Sequence, residues 1–390
     1  MIIKRLQPAR YLAGLTIAWG LVATFSAFVK NLAGLVACRL LLGLFEAGMF
    51  PGVIIYLTMF YNKKNIALRT AYFFATSAIS GAAGGLVAYG IGFMDGYAGW
   101  RAWRWIILIN GIPTIVTGFI VPFVLPNSPQ TAKFLTEEDR RNMILLREAE
   151  VGQTKSAQEL HKEDVKEGMK DWKIYTFALC QYCSNTMLYS FSVFLPTIIR
   201  QIGTWSTAQV QALTIPVYTL GAITYIVVGR VSDITQHRGI FAIGATLTSM
   251  LGYCFLIANQ SSGLSFAGTF LVAMGCYTAV GTPLAWLTSN NPRYGKRAFG
   301  SGFQLTIGNS AGVAAPFLFT NQFEPTYYPG YAATIGLLVL STTLFTVLHF
   351  YFKIHNKRRL AGKEDYKMEG KSDEEVAEMG DKSPKFMYTI

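Results

Sequence analysis

Ten apolar stretches, each close to the ~20 residues that an α-helix needs to cross ~30 Å of hydrocarbon, dictate what this chain can fold into. They lie at 11–29, 33–60, 70–93, 103–125, 174–199, 208–229, 239–258, 264–287, 299–320 and 331–353. Four of them precede a charged stretch at 127–171 and six follow it. A bilayer core offers no water to backbone polar groups, and helices satisfy those groups internally. With 52% hydrophobic and 14% charged residues, and charges bunched between the runs instead of alternating with them, a soluble amphipathic fold is excluded. The expected class is an all-α polytopic membrane protein with ten transmembrane helices.

The net charge of +12 does not point to nucleic acid, because the basic residues cluster in alternate connections. Lys4, Arg5 and Arg10 precede the first run, Lys63, Lys64 and Arg69 follow the second, and Arg230 and Arg238 follow the sixth. Arg293, Lys296 and Arg297 separate the eighth and ninth, and Lys353, Lys357, Arg358, Arg359 and Lys363 follow the tenth. The positive-inside rule then places both termini and the long loop in the cytoplasm. Cys38, Cys180, Cys183, Cys254 and Cys276 all fall in apolar runs and read as small buried hydrophobes. Cys180 and Cys183 have no His or second Cys pair beside them, and the four histidines do not gather, so neither a metal nor another cofactor is expected.

The six runs after Asp171 form a complete set. After its second member comes Gly229-Arg230-Val231-Ser232-Asp233, then His237-Arg238-Gly239, a short basic turn between two helices. A comparable basic turn, Lys4-Arg5-Leu6-Gln7-Pro8-Ala9-Arg10, stands at the chain start. If the halves are repeats, the first half lacks its first two helices. The expected division is an incomplete four-helix bundle at 1–126, an inter-bundle loop at 127–171, a six-helix bundle at 172–354 and a disordered tail at 355–390, the last from its mixed charge and few apolar residues. Within the loop, Thr136-Glu137-Glu138-Asp139 has a capping-box pattern. Transporters built from repeats place their substrate near the midplane, between bundles that rock against each other.

The segment Arg39-Leu-Leu-Leu-Gly43-Leu-Phe-Glu46-Ala-Gly48-Met-Phe-Pro51-Gly52 resembles the fourth helix of the anion:cation symporter family of the major facilitator superfamily. Leu125-Pro126-Asn127-Ser128-Pro129-Gln130, Phe194-Leu195-Pro196-Thr197, Ser289-Asn290-Asn291 and Tyr328-Pro329-Gly330-Tyr331 carry the likeness along the chain. It is nearest to fungal allantoate, nicotinate and pantothenate permeases. The resemblance implies a twelve-helix fold in two six-helix bundles, of which this chain would supply ten helices. It also implies a plasma-membrane, proton-coupled symporter of small organic anions. Its partners would be the anion, the proton and the lipid bilayer, with no nucleic acid, and the chain would act as a monomer. In the family a helix pair precedes the turn at Lys4 to Arg10, and its first helix would bring further acidic and basic residues.

Arg39, Gly43 and Glu46 share one helix face at i, i+4 and i+7, which puts the charges about 10 Å apart along the axis. Each charge at a helix centre costs about 2.5–3.5 kcal/mol to insert, so a polar cavity or a partner is expected. Arg39 would hold a substrate carboxylate, and Glu46 would take up and release the coupling proton. The plainer reading is a structural ion pair between helices.

Gln181, Asn185 and Tyr189, at i, i+4 and i+8, together with Asn309 and nearby Gln304, suit the orientation of an organic anion. They also suit ordinary hydrogen bonding between helices. Arg230, Asp233 and Arg238 resemble the superfamily's cytoplasmic loop motif, which implies a gating role; positive-inside anchoring alone accounts for the arginines but not for Asp233. Gly81-Ala-Ala-Gly84-Gly85 gives a ridge for close helix approach. Two other readings remain: a truncated chain that transports nothing, and a polytopic membrane enzyme, which the sparse histidines disfavour.

Overall fold

The computed structural model describes residues 7–62, 64–148, 156–258, 260–323 and 327–390. Lys4, Arg5 and Lys63 of the basic turns lie outside them. The described residues form helices and no strand. In chain order these are α1 (Pro8–Phe25), α2 (Leu32–Glu46), α3 (Met49–Phe60), α4 (Ile66–Gly92), α5 (Ala102–Val124), α6 (Glu137–Glu148) and α7 (Lys162–Lys170). Then follow α8 (Trp172–Ile202), α9 (Thr207–Thr235), α10 (Arg238–Ala258), α11 (Ser262–Ser289), α12 (Tyr294–Leu318), α13 (Tyr328–Leu360) and α14 (Asp373–Glu378).

Eight helical segments among the described residues are long and apolar enough to cross a membrane: Pro8–Phe28, Leu32–Phe60, Ile66–Gly92, Ala102–Val124, Thr207–Thr235, Arg238–Ala258, Ser262–Ser289 and Tyr328–Leu360. The other two expected spans fall on α8, with 31 residues, and α12, with 25. Both have the length to cross but are more polar, and both carry predicted site residues. Large apolar side chains are exposed on these helices, among them Leu40, Phe119, Phe123, Val193, Val313 and Phe317, as contact with lipid tails requires.

Local chemistry sets the helix ends. Pro8 opens α1, where its missing N–H is no loss. The Asn31 side chain accepts from Gly34 N at 2.8 Å to cap α2, and Ser206 with Gln209 forms a capping box on α9. At α6 the expected cap forms: Asp139 N donates to Thr136 Oγ1 at 3.1 Å. The apolar run at 33–60, expected as one helix, is two. It breaks at Ala47 and Gly48, where Gly48 lies too close to Tyr11 and Leu15 to carry a side chain.

The chain divides into two compact units, Met1–Phe60 with Gly84–Leu146, and Tyr61–Ala83 with Arg147–Ile390. In the first, α1 packs along α5, and Gly118 allows this because a Cβ there would run into Ile17. Tyr56 Oη donates to Pro126 O at 2.9 Å, tying α3 to the end of α5. In the second unit, α10 packs on α11 and α8 on α12. Trp286 of α11 is fully buried at its core, edge to face with Phe177 of α8 at 5.1 Å and with Phe352 of α13 at 5.7 Å.

Two expectations give way here. Cys180, Cys183 and Cys276 are buried, but Cys254 is exposed on α10, because a span has a lipid-facing side as well as a packed one. The tail was expected to be disordered, yet α13 continues to Leu360 and the segment beyond folds back onto the second unit, burying Val376, Phe386 and Tyr388. Average composition hides these few apolar anchors.

Candidate functional site

The five polar residues predicted on α8 and α12 form one continuous hydrogen-bonded chain. Gln304 Nε2 donates to Gln181 Oε1 at 3.0 Å. Gln181 Nε2 donates to Asn185 Oδ1 at 3.0 Å and to Val280 O of α11 at 3.2 Å. Asn185 Nδ2 donates to Asn309 Oδ1 at 3.2 Å, and Tyr189 Oη donates to the same oxygen at 3.1 Å. The spacing i, i+4, i+8 stacks the α8 members on one face. Gly308 allows α12 to approach that face, since a Cβ there would collide with Gln181 and crowd Asn185.

The ladder runs from wet to dry. Gln181 and Gln304 are fully buried and Asn185 nearly so, Tyr189 is half-buried and Asn309 is exposed. At the dry end Gln304 Oε1 is buried without a hydrogen-bond partner. At the wet end the Asn309 oxygen accepts twice, which polarises the amide and makes its Nδ2 a better donor. Every member is neutral, so the ladder carries no fixed charge.

In the first unit, Arg39 is exposed on α2 and Glu46 is half-buried at the last residue of that helix, beside the break at Ala47. No ion pair joins them among the described residues, as expected for side chains seven residues apart on one helix. No residue of α2 is buried.

Asp233 and Arg238 come together, and Arg230 stays apart and exposed. Asp233, near the end of α9, accepts from Ala67 N at 3.0 Å and from Leu68 N at 2.8 Å. These are orphan amides of the first turn of α4, so the carboxylate caps a helix more than 160 residues away in sequence. Arg238 Nη2 donates to Asp233 Oδ1 at 3.3 Å from a site with 0% exposure. Gly229 lets the helices meet, because a Cβ there would strike Ala71. Gln236 adds a bond from Nε2 to Lys64 O at 3.3 Å. Of the expected glycine ridge on α4, Gly81 packs on the Tyr218 ring and Gly84 meets nothing within 4 Å.

One cluster had no counterpart in the sequence reading. Asp381 of the tail is held by Lys296 Nζ at 2.8 Å and Lys173 Nζ at 3.1 Å, and Asp171 lies 2.6 Å from Lys296. Burial alone would raise the Asp381 pKa; the two ammonium groups outweigh it and hold the carboxyl below the usual carboxylate range. Its signal was confined to single charged residues in separate connections.

The sequence profile of the Major Facilitator Superfamily matches residues 1–316. The chain belongs to the major facilitator superfamily. Among superfamily relatives, an uncharacterized transporter of Schizosaccharomyces pombe is 39% identical over 361 residues, covering 92% of this chain and 71% of that protein. The high-affinity nicotinic acid transporter of Saccharomyces cerevisiae is 28% identical over 389 residues, covering 99% of this chain and 72% of its own. Among solved major facilitator structures, the proton:xylose symporter XylE matches with a TM-score of 0.64 at 14% identity, covering 88% of this chain and 80% of XylE. The human organic anion transporter MFSD10 matches with a TM-score of 0.60 at 13% identity, covering 88% and 81%. At those identities the two structures speak for the fold.

Proposed function

We propose that this major facilitator chain moves small organic anions of the nicotinate, allantoate or pantothenate kind across the plasma membrane by proton symport and alternating access. The observation that carries the reading is the neutral ladder on α8 and α12, which ends in the exposed Asn309 amide and the half-buried Tyr189 phenol. A carboxylate meets donors there without meeting a full positive charge, so it can be oriented and then released. The nicotinic acid transporter among the relatives supports the same substrate class.

In this reading Gln181, Asn185, Tyr189 and Asn309 line the substrate path and Arg39 supplies the one cationic contact. Glu46 carries the coupling proton beside a helix break, where a small backbone movement changes its access to water. Asp233 and Arg238 form the gate element, with Arg230 as its exposed basic flank. The working parts are the helices at 1–126 and at 172–354, joined by the loop at 127–171, with both termini cytoplasmic and the monomer as the unit.

The test is uptake by proteoliposomes under an imposed pH gradient, over a panel of carboxylates and their uncharged amides. Acids accumulating over amides, with loss of uptake when the gradient is collapsed, is the expected result. Equal uptake of acid and amide would remove the anion assignment, and uptake indifferent to the gradient would remove proton coupling.

A further inference from the structure

The segment that folds back onto the second unit is read mainly through its backbone. Asn356 Nδ2 donates to Tyr388 O at 2.8 Å while Tyr388 N donates to Asn356 Oδ1 at 2.9 Å. Asn290 repeats the arrangement one residue on, donating to Thr389 O at 2.9 Å and accepting from Thr389 N at 2.8 Å. Trp286 Nε1 adds a bond to Thr389 O at 2.8 Å. Arg359 donates to Phe386 O, and to Asp381 O at 2.9 Å. The Tyr388 ring packs against Phe352 at a tilt of 31°, with centroids 4.7 Å apart. With Asp381 bound by Lys173 and Lys296, the segment fastens the ends of α8, α11, α12 and α13 to one another.

One side-chain hydroxyl of the segment adds no hydrogen bond to this docking. Ser383 has 0% exposure, and its Oγ is buried with no hydrogen-bond partner. A buried unpaired hydroxyl weakens the docked state relative to alanine. Its neighbours are Pro384 and Lys385, and a serine followed by proline is what a proline-directed protein kinase reads. A phosphate at this position would add about −1.5 to −2 charges, two residues from Asp381 and at a side chain with 0% exposure.

We propose that Ser383 is a phosphorylation site and that its phosphorylation releases the segment Gly380 to Thr389 from the second unit. A nucleoside triphosphate supplies the γ-phosphoryl group. The Ser383 Oγ–P bond forms as the bond to the β-phosphate oxygen breaks, the nucleoside diphosphate leaves, and the hydroxyl proton passes to the kinase's base. The kinase acts on the undocked segment, and the phosphorylated serine cannot return to a dry site beside a carboxylate. Modification thereby traps an opening that otherwise recloses, and it frees four helix ends at once. In the cell this rests on the cytoplasmic placement proposed above; the test in purified protein does not.

The test is hydrogen–deuterium exchange of the full chain in detergent micelles, read at the amides of Tyr388 and Thr389. Ser383→Ala should be protected at least as well as wild type, and Ser383→Glu should exchange at least about tenfold faster than wild type. In parallel, wild type and the doubly loosened Asn290→Ala/Asn356→Ala chain are incubated with ATP and a proline-directed kinase, and the phosphate is mapped by mass spectrometry. Ser383 should be modified at least about tenfold faster in the loosened chain. Protection of Ser383→Glu equal to wild type overturns the release step. No phosphate on Ser383 in the loosened chain overturns the site.

Discussion

Asn185 Nδ2 donates to Asn309 Oδ1 across 3.2 Å, and this bond joins the buried part of the polar ladder on α8 to its exposed end on α12. The same oxygen also accepts from Tyr189, so the carbonyl side of the exposed amide is engaged twice. Substituting Asn309→Asp places a negative charge where an anion would approach and leaves the ladder's acceptor in place. Uptake of carboxylates should fall at least about tenfold, through KM more than through kcat. A comparable fall for the uncharged amides would argue against direct contact.

Gly308→Ala should open the ladder from its core, since the new methyl meets Gln181 and Asn185. Overpacking of this kind costs about 1–3 kcal/mol, so the unfolding midpoint in detergent should drop by several degrees. Gly302→Ala on the same helix is the control: nothing lies within 4 Å of its Cβ position, and its midpoint should not fall.

Asp233→Asn removes the charge that pairs with the fully buried Arg238. Breaking one side of a buried pair costs about 3–5 kcal/mol. Asp233→Asn should therefore be the more damaging single change, and adding Arg238→Met should recover part of the loss. Thermal unfolding of the two single variants and the double variant forms the cycle that measures this coupling.

Glu46→Gln keeps the size and hydrogen bonding of the side chain and removes its proton exchange. If Glu46 carries the coupling proton, this variant should lose the pH dependence of uptake while still exchanging substrate for substrate. An unchanged pH profile would show that the proton travels elsewhere.

The tail contact has its own pH signature. The docked Asp381 pKa lies below its ordinary value, so its contribution to docking is fully present above the ordinary carboxylate range and is lost as pH falls through the lowered value. In protein labelled with 15N-tryptophan, the Trp286 indole resonance reports the bond to Thr389 O. That resonance should hold steady from pH 8 to about pH 5 and move only under stronger acid.

Eight of the ten expected spans were legible because burial in lipid writes itself into sequence as long apolar runs, and the α8 ladder because helical spacing brings Gln181, Asn185 and Tyr189 to one face. The break at Gly48 was not legible: the residue sits against Tyr11 and Leu15 of another helix, a contact that no local pattern records. The tail was misread because docking depends on main-chain groups at Tyr388 and Thr389, and these look alike in every sequence. Lys173, Lys296 and Asp381 are far apart in the chain, and only folding brings them within 3.1 Å.

The cap on α4 carries a genetic consequence. Asp233 binds two peptide N–H groups, so its bonds to residues 67 and 68 do not depend on the side chains at those positions. Charge-reversal suppressors of an Asp233 variant should therefore never arise at those positions. Relief is expected instead at Arg238, whose guanidinium pairs with that carboxylate, or by regaining an acid at 233 itself.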